Sequence, residues 1–245
     1  MNLFGLTDIG LVRKNNQDSY AIRVLGDDLA IAVVCDGMGG AQAGNVASAV
    51  AVEAFSAALE DACKQGIPSD EDARRRMLCS ACHTANSQVF QLSVTNQEYY
   101  GMGTTLVAAL ILSERVYVAN IGDSRCYIWH EGALRQVTSD HSLVQALVDC
   151  GDITPEEART HPKKNVITRA LGVEDEIRCD VFAVEYREGD KLLLCSDGLS
   201  NMVTDETMMM ELSRSVSLED AARILLSHAV EEGAPDNVTV ILAQL

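Results

Sequence analysis

Two acidic residues of this 245-residue chain follow sequence patterns that otherwise belong in a protein interior. Asp36 follows the run IAVVC, Asp197 follows LLLCS, and a glycine comes directly after each acid. Apolar runs of this length are typical of interior strands, whereas ionised aspartate is rarely buried without a partner. A single Asp-Gly pair most often marks a turn. Its recurrence after two such runs instead favours strands that carry carboxylates to one edge of a sheet.

Three further aspartates lie next to strand-like runs in other parts of the chain. Asp18 precedes such a run, Asp123 follows one after a glycine, and Asp236 comes just before the last one. If the five carboxylates converge on one mouth of a β-sandwich, they repel one another and stay ionised only when cations hold them. Mg²⁺ and Mn²⁺ prefer carboxylate, carbonyl and water oxygens. The hypothesis is a divalent metal site to which Gly37, having no side chain, adds a closely presented backbone carbonyl.

The same residue types leave some other chemistry open and exclude the rest. Arg13 offers a planar guanidinium that can bind a phosphate group through two hydrogen bonds, although a solvated surface arginine is an equal interpretation of that residue alone. No cysteine is followed six residues later by arginine, so the phosphate loop of cysteine phosphatases is absent. The five histidines show no zinc-binding spacing. His141 and His161 lie in the polar segment 139–177, where a substrate contact is the less favoured interpretation of each.

Composition describes the kind of molecule that must position these groups. Hydrophobic residues make up 47% of the chain, enough for a substantial core, and the net charge is −17. An acidic surface repels phosphate backbones and anionic lipids, so we expect neither nucleic-acid binding nor membrane insertion. We find no apolar run typical of a transmembrane helix and no secretory signal pattern. The expected location is the cytoplasm, with the eight cysteines reduced.

The order of the secondary-structure patterns predicts the architecture. Strand patterns cover 2–9, 19–25, 29–35, 104–112, 115–121, 124–130, 133–138, 178–186, 190–196 and 238–244. Helix patterns cover 43–65, 70–94, 142–150, 154–160, 204–213 and 217–231. Ser69 is expected to cap the second helix. Strands come in blocks separated by pairs of helices, which favours an α+β fold with antiparallel sheets and one domain over 1–245. Residues 139–177 are polar and are expected to form a surface insertion near the functional face.

Eight sequence motifs together resemble those of the protein phosphatase 2C family, above all its single-domain bacterial serine/threonine phosphatases. They occur in the family's order between residues 7 and 242 and so span nearly the whole chain. Any one of them is weakly specific, whereas the ordered set is highly specific. The motifs are TDIGLVRKNNQDSY, VVCDGMGGAQAGNVAS, GMGTTLVAAL, NIGDSRCY, TSDHSL, NVITRALG, LLLCSDGLSNMV and APDNVTVIL.

The resemblance implies an αββα four-layer sandwich, in which helices cover the outer faces of two antiparallel β-sheets. It implies two core Mn²⁺ or Mg²⁺ ions, with a third in bacterial members, and a metal-activated water that hydrolyses phosphoserine and phosphothreonine in proteins. The phosphorylated proteins that it implies as partners include a bacterial serine/threonine kinase, which the enzyme opposes. The expected oligomeric state is a monomer.

The resemblance also assigns roles to individual residues. Asp36 matches the carboxylate that bridges the two core metals, and Gly37 matches a residue that binds the second metal through its backbone carbonyl. Asp197 and Asp236 match the remaining carboxylates of the first metal. Asp123 matches the residue that, together with Asp197, binds the third metal of bacterial members.

Other positions match family residues that act around the metals, or depart from them. Arg13 matches the arginine that binds phosphate, and Asp18 matches an acid that holds a metal-bound water. Residues 139–177 overlap the flap of bacterial members, to which an influence on substrate choice is attributed. The family often has Glu where this chain has Gln17, and many eukaryotic members have a proposed general acid, His, where this chain has Met38. A water on a metal is therefore our hypothesis for the proton donor to the leaving oxygen.

Two other functions compete with protein dephosphorylation. A pseudophosphatase would keep the fold and bind phosphoproteins without turnover, and the loss of a metal acid would favour it. Asp36, Asp197 and Asp236 are all present, which disfavours this alternative. A phosphatase of small phosphorylated molecules would use the same site. Turnover of a phosphothreonine peptide, compared with turnover of free phosphorylated metabolites, separates these functions.

Overall fold

The computed structural model describes residues 1–245, apart from the side chains of Ala41 and Gln42. Its strands are β1 (Asn2–Asp8), β2 (Asp18–Gly26), β3 (Leu29–Met38), β4 (Gly103–Thr104), β5 (Leu106–Leu112), β6 (Arg115–Ile121), β7 (Arg125–His130), β8 (Ala133–Gln136), β9 (Asp180–Glu185), β10 (Lys191–Cys195) and β11 (Val238–Gln244). Its α-helices are α1 (Gly40–Gln65), α2 (Glu71–Thr95), α3 (Leu143–Asp149), α4 (Pro155–Thr160), α5 (Asp197–Ser200), α6 (Asp205–Arg214) and α7 (Leu218–Glu231). None of the described helices is long and apolar enough to cross a lipid bilayer.

Antiparallel pairing arranges the described strands into two sheets. One sheet has the order β1-β11-β10-β7-β8, and the other has the order β2-β3-β5-β6-β9, with β4 paired to the end of β3. Strand β11 lies beside the first strand of the chain, in a register that pairs Asn2 with Gln244 and Asp8 with Val238. Segments from both ends of the sequence therefore build one sheet, which brings distant residues to the same edge.

Alternating side chains along the strands build three apolar layers. Leu192 and Leu194 of β10 lie between the two sheets, whereas Leu193 and Cys195 pack against α5, α6 and α7 on the outer face. Strand β3 alternates in the same way between the other sheet and helices α1 and α2. Because both faces of these strands are buried, their sequences are continuous apolar runs. The layers confirm the predicted αββα four-layer sandwich.

The predicted elements agree with the structure to within a few residues, with some differences. The predicted strand 104–112 is divided at Thr105, because β4 pairs with the end of β3 while β5 pairs with its middle. Helix α5 has four residues and is too short to produce a helical period. The prediction that Ser69 caps α2 is wrong: Asp70 is the cap, and its carboxylate accepts a hydrogen bond from the Ala73 N–H at 2.8 Å.

Residues 139–177 are joined to the sandwich by a hydrogen-bonded stem. The Leu143 N–H donates to the Val166 carbonyl at 2.8 Å, and the Thr168 N–H donates to the His141 carbonyl at 2.7 Å. Helices α3 and α4 lie between the two sides of this stem. The stem therefore fixes where the insertion leaves and rejoins the sheets.

Replacing the cap residue, Asp70→Ala, should lower the free energy of unfolding by about 1 kcal/mol, because the first turn of α2 loses its side-chain acceptor. Ser69→Ala is the matched control, and it should change the free energy by less than about 0.5 kcal/mol, as exposed substitutions usually do. Urea unfolding followed by circular dichroism measures both variants. Equal destabilisation by the two would show that Asp70 does not act as the cap.

Candidate active site

One cleft of about 490 Å³ gathers most of the residues expected to do chemistry. The predicted site residues among its lining are Arg13, Asp36, Gly37, Asp123, Asp197 and Asp236. Asp36 lies in β3 and Asp123 lies in the connection that leaves β6 of the same sheet, whereas Asp197 and Asp236 flank strands β10 and β11 of the other sheet. The cleft therefore opens at the seam between the sheets, and both sheets are needed to form it.

Hydrogen bonds fix the backbone on both sides of Asp36. The Asp36 N–H donates to the Thr105 hydroxyl at 2.9 Å, and the Asp36 carbonyl accepts from the Thr105 N–H at 2.9 Å and from the Thr104 hydroxyl at 2.8 Å. The next N–H, that of Gly37, donates to the Gln17 carbonyl at 3.0 Å. The Asp36 carboxylate is therefore carried on a rigid backbone inside strand β3.

Both Asp-Gly pairs need glycine for the close approach of two backbone segments. A Cβ atom at Gly37 would lie 2.0 Å from the carbonyl oxygen of Gly44 in α1. A Cβ atom at Gly198 would lie 1.9 Å from the carbonyl oxygen of Asn237. Neither pair is a hairpin turn, since Gly37 continues β3 and Gly198 lies in α5. The close approaches explain why no larger residue fits directly after either acid.

Asp18 lies beneath the cleft and pairs with Asp36 across strands β2 and β3. Its Oδ2 atom accepts hydrogen bonds from the Ser196 hydroxyl at 2.7 Å and from the Thr239 hydroxyl at 2.6 Å. Its Oδ1 atom is buried and has no hydrogen-bond partner among the residues that the structure describes. Asp18 thus ties the two sheets together below the cleft, while one of its oxygens stays unpaired.

Asp197 and Asp123 reach the cleft from opposite sheets. Asp197 begins helix α5, and its Oδ2 atom accepts a hydrogen bond from the Asn201 amide at 2.9 Å. The Oδ1 atom of Asp197 is buried and, within the described part of the chain, lacks a partner. Asp123 follows β6, and the next residue, Ser124, shares a hydrogen bond of 2.8 Å with the Thr105 hydroxyl. The Asn201 amide therefore positions the Asp197 carboxylate, and the Thr105–Ser124 bond fixes the segment that bears Asp123.

Arg13 enters the cleft from the loop between β1 and β2. Its guanidinium donates a hydrogen bond to Asp236 Oδ2 at 2.6 Å, which makes an ion pair. About half of the Arg13 side chain is exposed, at 49%, and the residue lines the cleft. The Asp236 Oδ1 atom accepts from the N–H of Asn237 at 2.9 Å. The loop thereby places a cation beside the otherwise acidic cleft.

Asn237 is a positioning residue that the sequence analysis does not identify. Its side-chain amide donates to the carbonyls of Ile9 and Asn15 at 2.9 and 3.1 Å, and its Oδ1 atom accepts from the Gln17 N–H at 2.8 Å. These three bonds hold the loop that carries Arg13 against the start of β11. The sequence offers one sign of this role, since the polar residue Asn237 comes directly before the apolar run that forms β11.

Burial and mutual repulsion raise the pKa values of Asp18, Asp36 and Asp123. Burial, with further contributions from Asp18 and Asp197, raises the pKa of Asp36 well above its ordinary value of 3.8. Burial likewise raises the pKa of Asp18 to about 7 and that of Asp123 to about 8. The metal-free cleft therefore retains protons at neutral pH that exposed carboxyl groups would release.

The oxygen donors of the cleft fit divalent cations. Asp18 and Asp197 each have a buried oxygen without a partner among the described residues, which is costly unless a cation or water satisfies it. Among those residues, no group of three or more Asp, Glu, His or Cys side chains is arranged to hold a metal ion by itself. Ions held here would keep several water ligands, as Mg²⁺ and Mn²⁺ do. The donor chemistry therefore suits these two metals.

The insertion 139–177 adjoins the cleft on the side of Met38. Ile167 from the insertion lines the cleft, and both Ile167 and Met38 also line a neighbouring cavity of about 420 Å³. The Met38 thioether has no proton to donate to a leaving group. His141, by contrast, is buried and hydrogen-bonded through both ring nitrogens, so its interpretation as a substrate contact is wrong.

Comparisons with known proteins agree with this geometry. A family model described as protein phosphatase 2C matches residues 12–232. The serine/threonine phosphatase stp of Listeria welshimeri serovar 6b is 40% identical over 238 residues, which cover 97% of this chain and 93% of that protein. The crystal structure of the Mycobacterium tuberculosis serine/threonine phosphatase PstP/Ppp has a TM-score of 0.87 at 39% identity and covers 100% of this chain and 98% of that chain. The PstP catalytic domain in complex with two manganese ions has a TM-score of 0.85 at 39% identity, covering 99% and 97%.

In the presence of EDTA, the protein should become less stable as the pH rises from about 5 to 8. The folded state keeps protons on Asp18 and Asp123 that the unfolded chain releases near pH 3.8. Each retained proton therefore lowers the free energy of unfolding by up to about 1.4 kcal/mol for every unit by which the pH rises. Urea unfolding at several pH values measures the slope. Asp123→Asn should reduce it, whereas Asp61→Asn, at an exposed position, should not. A stability that is flat or rises over this range would contradict the raised pKa values.

Proposed function

This chain belongs to the protein phosphatase 2C family, and from that premise we propose that its acidic cleft hydrolyses phosphoserine and phosphothreonine in other proteins with two Mn²⁺ or Mg²⁺ ions. The observation that carries the proposal is the convergence of Asp36, Asp197 and Asp236 with Arg13 in one cleft. Three acids without a cation would make a poor phosphate site, and a cation site without Arg13 would lack a fixed ligand for the phosphate. The combination suits a phosphomonoester.

Four residues would hold the two core ions: Asp36 through its carboxylate to both, Gly37 through its carbonyl, and Asp197 and Asp236 through their carboxylates. Asp123 would share a third and weaker site with Asp197. When bound, the ions neutralise the phosphoryl oxygens and lower the pKa of water so that it can act as the nucleophile. Support comes from the position of these acids around the cleft and from the unpaired Oδ1 atom of Asp197.

Arg13 orients the phosphate group of the substrate. Its ion pair with Asp236 holds the guanidinium at the wall of the cleft before substrate arrives. The planar fork can then donate its other N–H groups to two phosphate oxygens at once. Because the side chain is already held, less conformational entropy is lost when the phosphate binds.

Asp123 directs the proton that the leaving oxygen of serine or threonine requires. Met38 cannot supply this proton, since its side chain is a thioether. Asp123 lines the same cleft as Arg13, the proposed phosphate ligand, so its carboxylate can hold a water within the site. A water held against the Asp123 carboxyl group then serves as the donor.

The partners are phosphorylated proteins, and among them we propose a bacterial serine/threonine kinase that the enzyme opposes. The acidic surface, with a net charge of −17, disfavours nucleic acid as a partner. The cysteines of the chain are free thiols in the described structure, which fits the reducing cytoplasm. We propose a monomer, and sedimentation equilibrium of the metal-loaded protein tests that state.

Turnover of a phosphothreonine peptide should require Mn²⁺ or Mg²⁺ and stop in EDTA. Asp36→Asn should lower kcat by on the order of 10²–10³-fold, as the loss of one electrostatic group at a reacting centre does. Asp61→Asn is the control, because this acid is exposed on α1 and pairs with Lys64. Released phosphate measures the rate. Full activity in EDTA, or a covalent phosphoenzyme trapped by acid quench, would overturn the proposal.

Arg13→Ala should raise KM for the same peptide by about 10- to 100-fold, because a hydrogen bond to a charged group contributes about 1.5–3 kcal/mol. Mn²⁺ affinity should be unchanged or tighter, since Asp236 loses a competing cation. Arg13→Lys should restore only part of the KM effect, because an ammonium group cannot form the planar fork. Lys64→Ala is the control and should leave KM unchanged, because this cation is exposed on α1 and does not line the cleft. Unchanged kinetics in both Arg13 variants would exclude this residue from phosphate binding.

A further inference from the structure

A buried histidine closes a ring of hydrogen bonds with the residue directly before Asp123. His141 is only 7% exposed. Its Nδ1 atom accepts a hydrogen bond from the Gly122 N–H at 3.1 Å, and its own backbone N–H donates to the Gly122 carbonyl at 2.9 Å. Both polar groups of Gly122 are therefore bound by a single residue of the insertion 139–177.

The hydrogen bonds determine which ring nitrogen of His141 carries the proton. Because Nδ1 accepts from Gly122, the ring carries its proton on Nε2, which donates to Asp180 Oδ2 at 3.0 Å. Arg169 Nη1 also lies 3.1 Å from Nε2, but a protonated Nε2 has no lone pair with which to accept from it. Arg169 donates to the other oxygen of Asp180 at 3.0 Å, so two donors converge on one carboxylate. Burial would raise the pKa of Asp180, but the bonds from His141 and Arg169 outweigh it and lower the pKa. Asp180 is thus an ionised acceptor that fixes the ring.

Gly122 needs this external support. Its φ of +108° lies in the left-handed region, and a Cβ atom there would lie 2.6 Å from the Thr105 side chain. The residue therefore has no side chain with which to hold the turn. On the other side of Asp123, Ser124 is fixed by the Thr105 hydroxyl at 2.8 Å. The backbone on either side of Asp123 is therefore held by Thr105 and by His141, with a longer contact of 3.4 Å from the Asn120 amide to the Gly122 carbonyl.

We propose that His141 is a positioning residue that holds Asp123 in the cleft through Gly122 and couples it to the insertion 139–177. The coupling arises because the His141 carbonyl also accepts from the Thr168 N–H at 2.7 Å, next to Ile167 in the lining of the cleft. The inference rests on the proposed function, in which Asp123 is required for turnover. His141 acts on kcat through Asp123 and makes no contact with substrate.

Two substitutions separate the halves of this bridge. His141→Asn places an amide oxygen near the position of Nδ1, so it keeps an acceptor for Gly122 but does not reach Asp180. His141→Gln reaches Asp180 but leaves the Gly122 N–H without its acceptor. His83→Gln is the matched control, because His83 is exposed on α2. If His141 served only general stability, the loss of kcat in the two His141 variants would follow the drop in their melting temperatures.

Kinetics of the metal-loaded variants test the proposal. His141→Gln should lower kcat on a phosphothreonine peptide by about 10- to 100-fold, as the loss of a group that orients a metal ligand does, with KM within about twofold. His141→Asn should retain most of kcat, and His83→Gln all of it. Asp123→Ala is the reference. If Asp123→Ala loses turnover while His141→Gln keeps it, the inference is wrong and the proposed function stands. If Asp123→Ala keeps full turnover, the role of Asp123 in the proposed function is wrong, and the inference about His141 is wrong with it.

Nitrogen-15 NMR of the metal-free protein supplies a test that does not depend on activity. The His141 ring should show an unprotonated Nδ1 and a protonated Nε2, with a scalar coupling across the Gly122 N–H to Nδ1 bond. The Gly122 amide should be protected from hydrogen exchange in the wild type and in His141→Asn, but not in His141→Gln. A proton on Nδ1, or a Gly122 amide that exchanges as fast as an exposed loop amide, would overturn the proposal.

Discussion

Repulsion among carboxylates buried at one seam is the constraint on which the rest of this structure depends. Asp36 and Asp18 lie on neighbouring strands of one sheet, and Asp197 and Asp236 reach the same place from the other sheet. Placing these charges together is unfavourable in a low dielectric unless cations compensate them. Divalent ions bound at the seam would therefore stabilise the contact between the sheets as well as do chemistry, since a ligand that binds only the folded state stabilises it.

The fold meets this constraint in part without any ion. Arg13 compensates Asp236, and hydroxyl groups from Ser196 and Thr239 satisfy one oxygen of Asp18. Protonation compensates the more deeply buried Asp36, whose pKa burial raises. Arg13 thus has two roles: it is the counter-charge of Asp236, and it is the proposed ligand of the phosphate group. Both roles require Arg13 to stay in place, and three hydrogen bonds of the Asn237 side chain hold the loop that bears it.

Much of the fold and of the acidic site could be predicted because each depends on local patterns. Apolar runs that end in an acid are visible in sequence, and in the structure Asp36 lies near the end of β3 while Asp197 follows β10. Contacts between distant residues leave no such pattern. The amide of Asn237 binds a loop more than 200 positions away, and His141 meets a carboxylate 39 positions away, at Asp180. The choice of cap between Ser69 and Asp70 also could not be settled, since adjacent residues of both types favour the same helix end.

The two sides of the cleft differ in exposure, and the proposed mechanism gives each side a different task. Arg13 and Asp236 form a partly exposed wall that suits an incoming phosphate group. Asp123 is buried on the side of the insertion, where it also lines a cavity of about 270 Å³ with Arg159 and Lys164. The stem of the insertion holds Gly122, next to Asp123, through His141. In the proposed mechanism, the segment that contributes Ile167 to the lining of the cleft and the acid that directs the proton are therefore joined by hydrogen bonds.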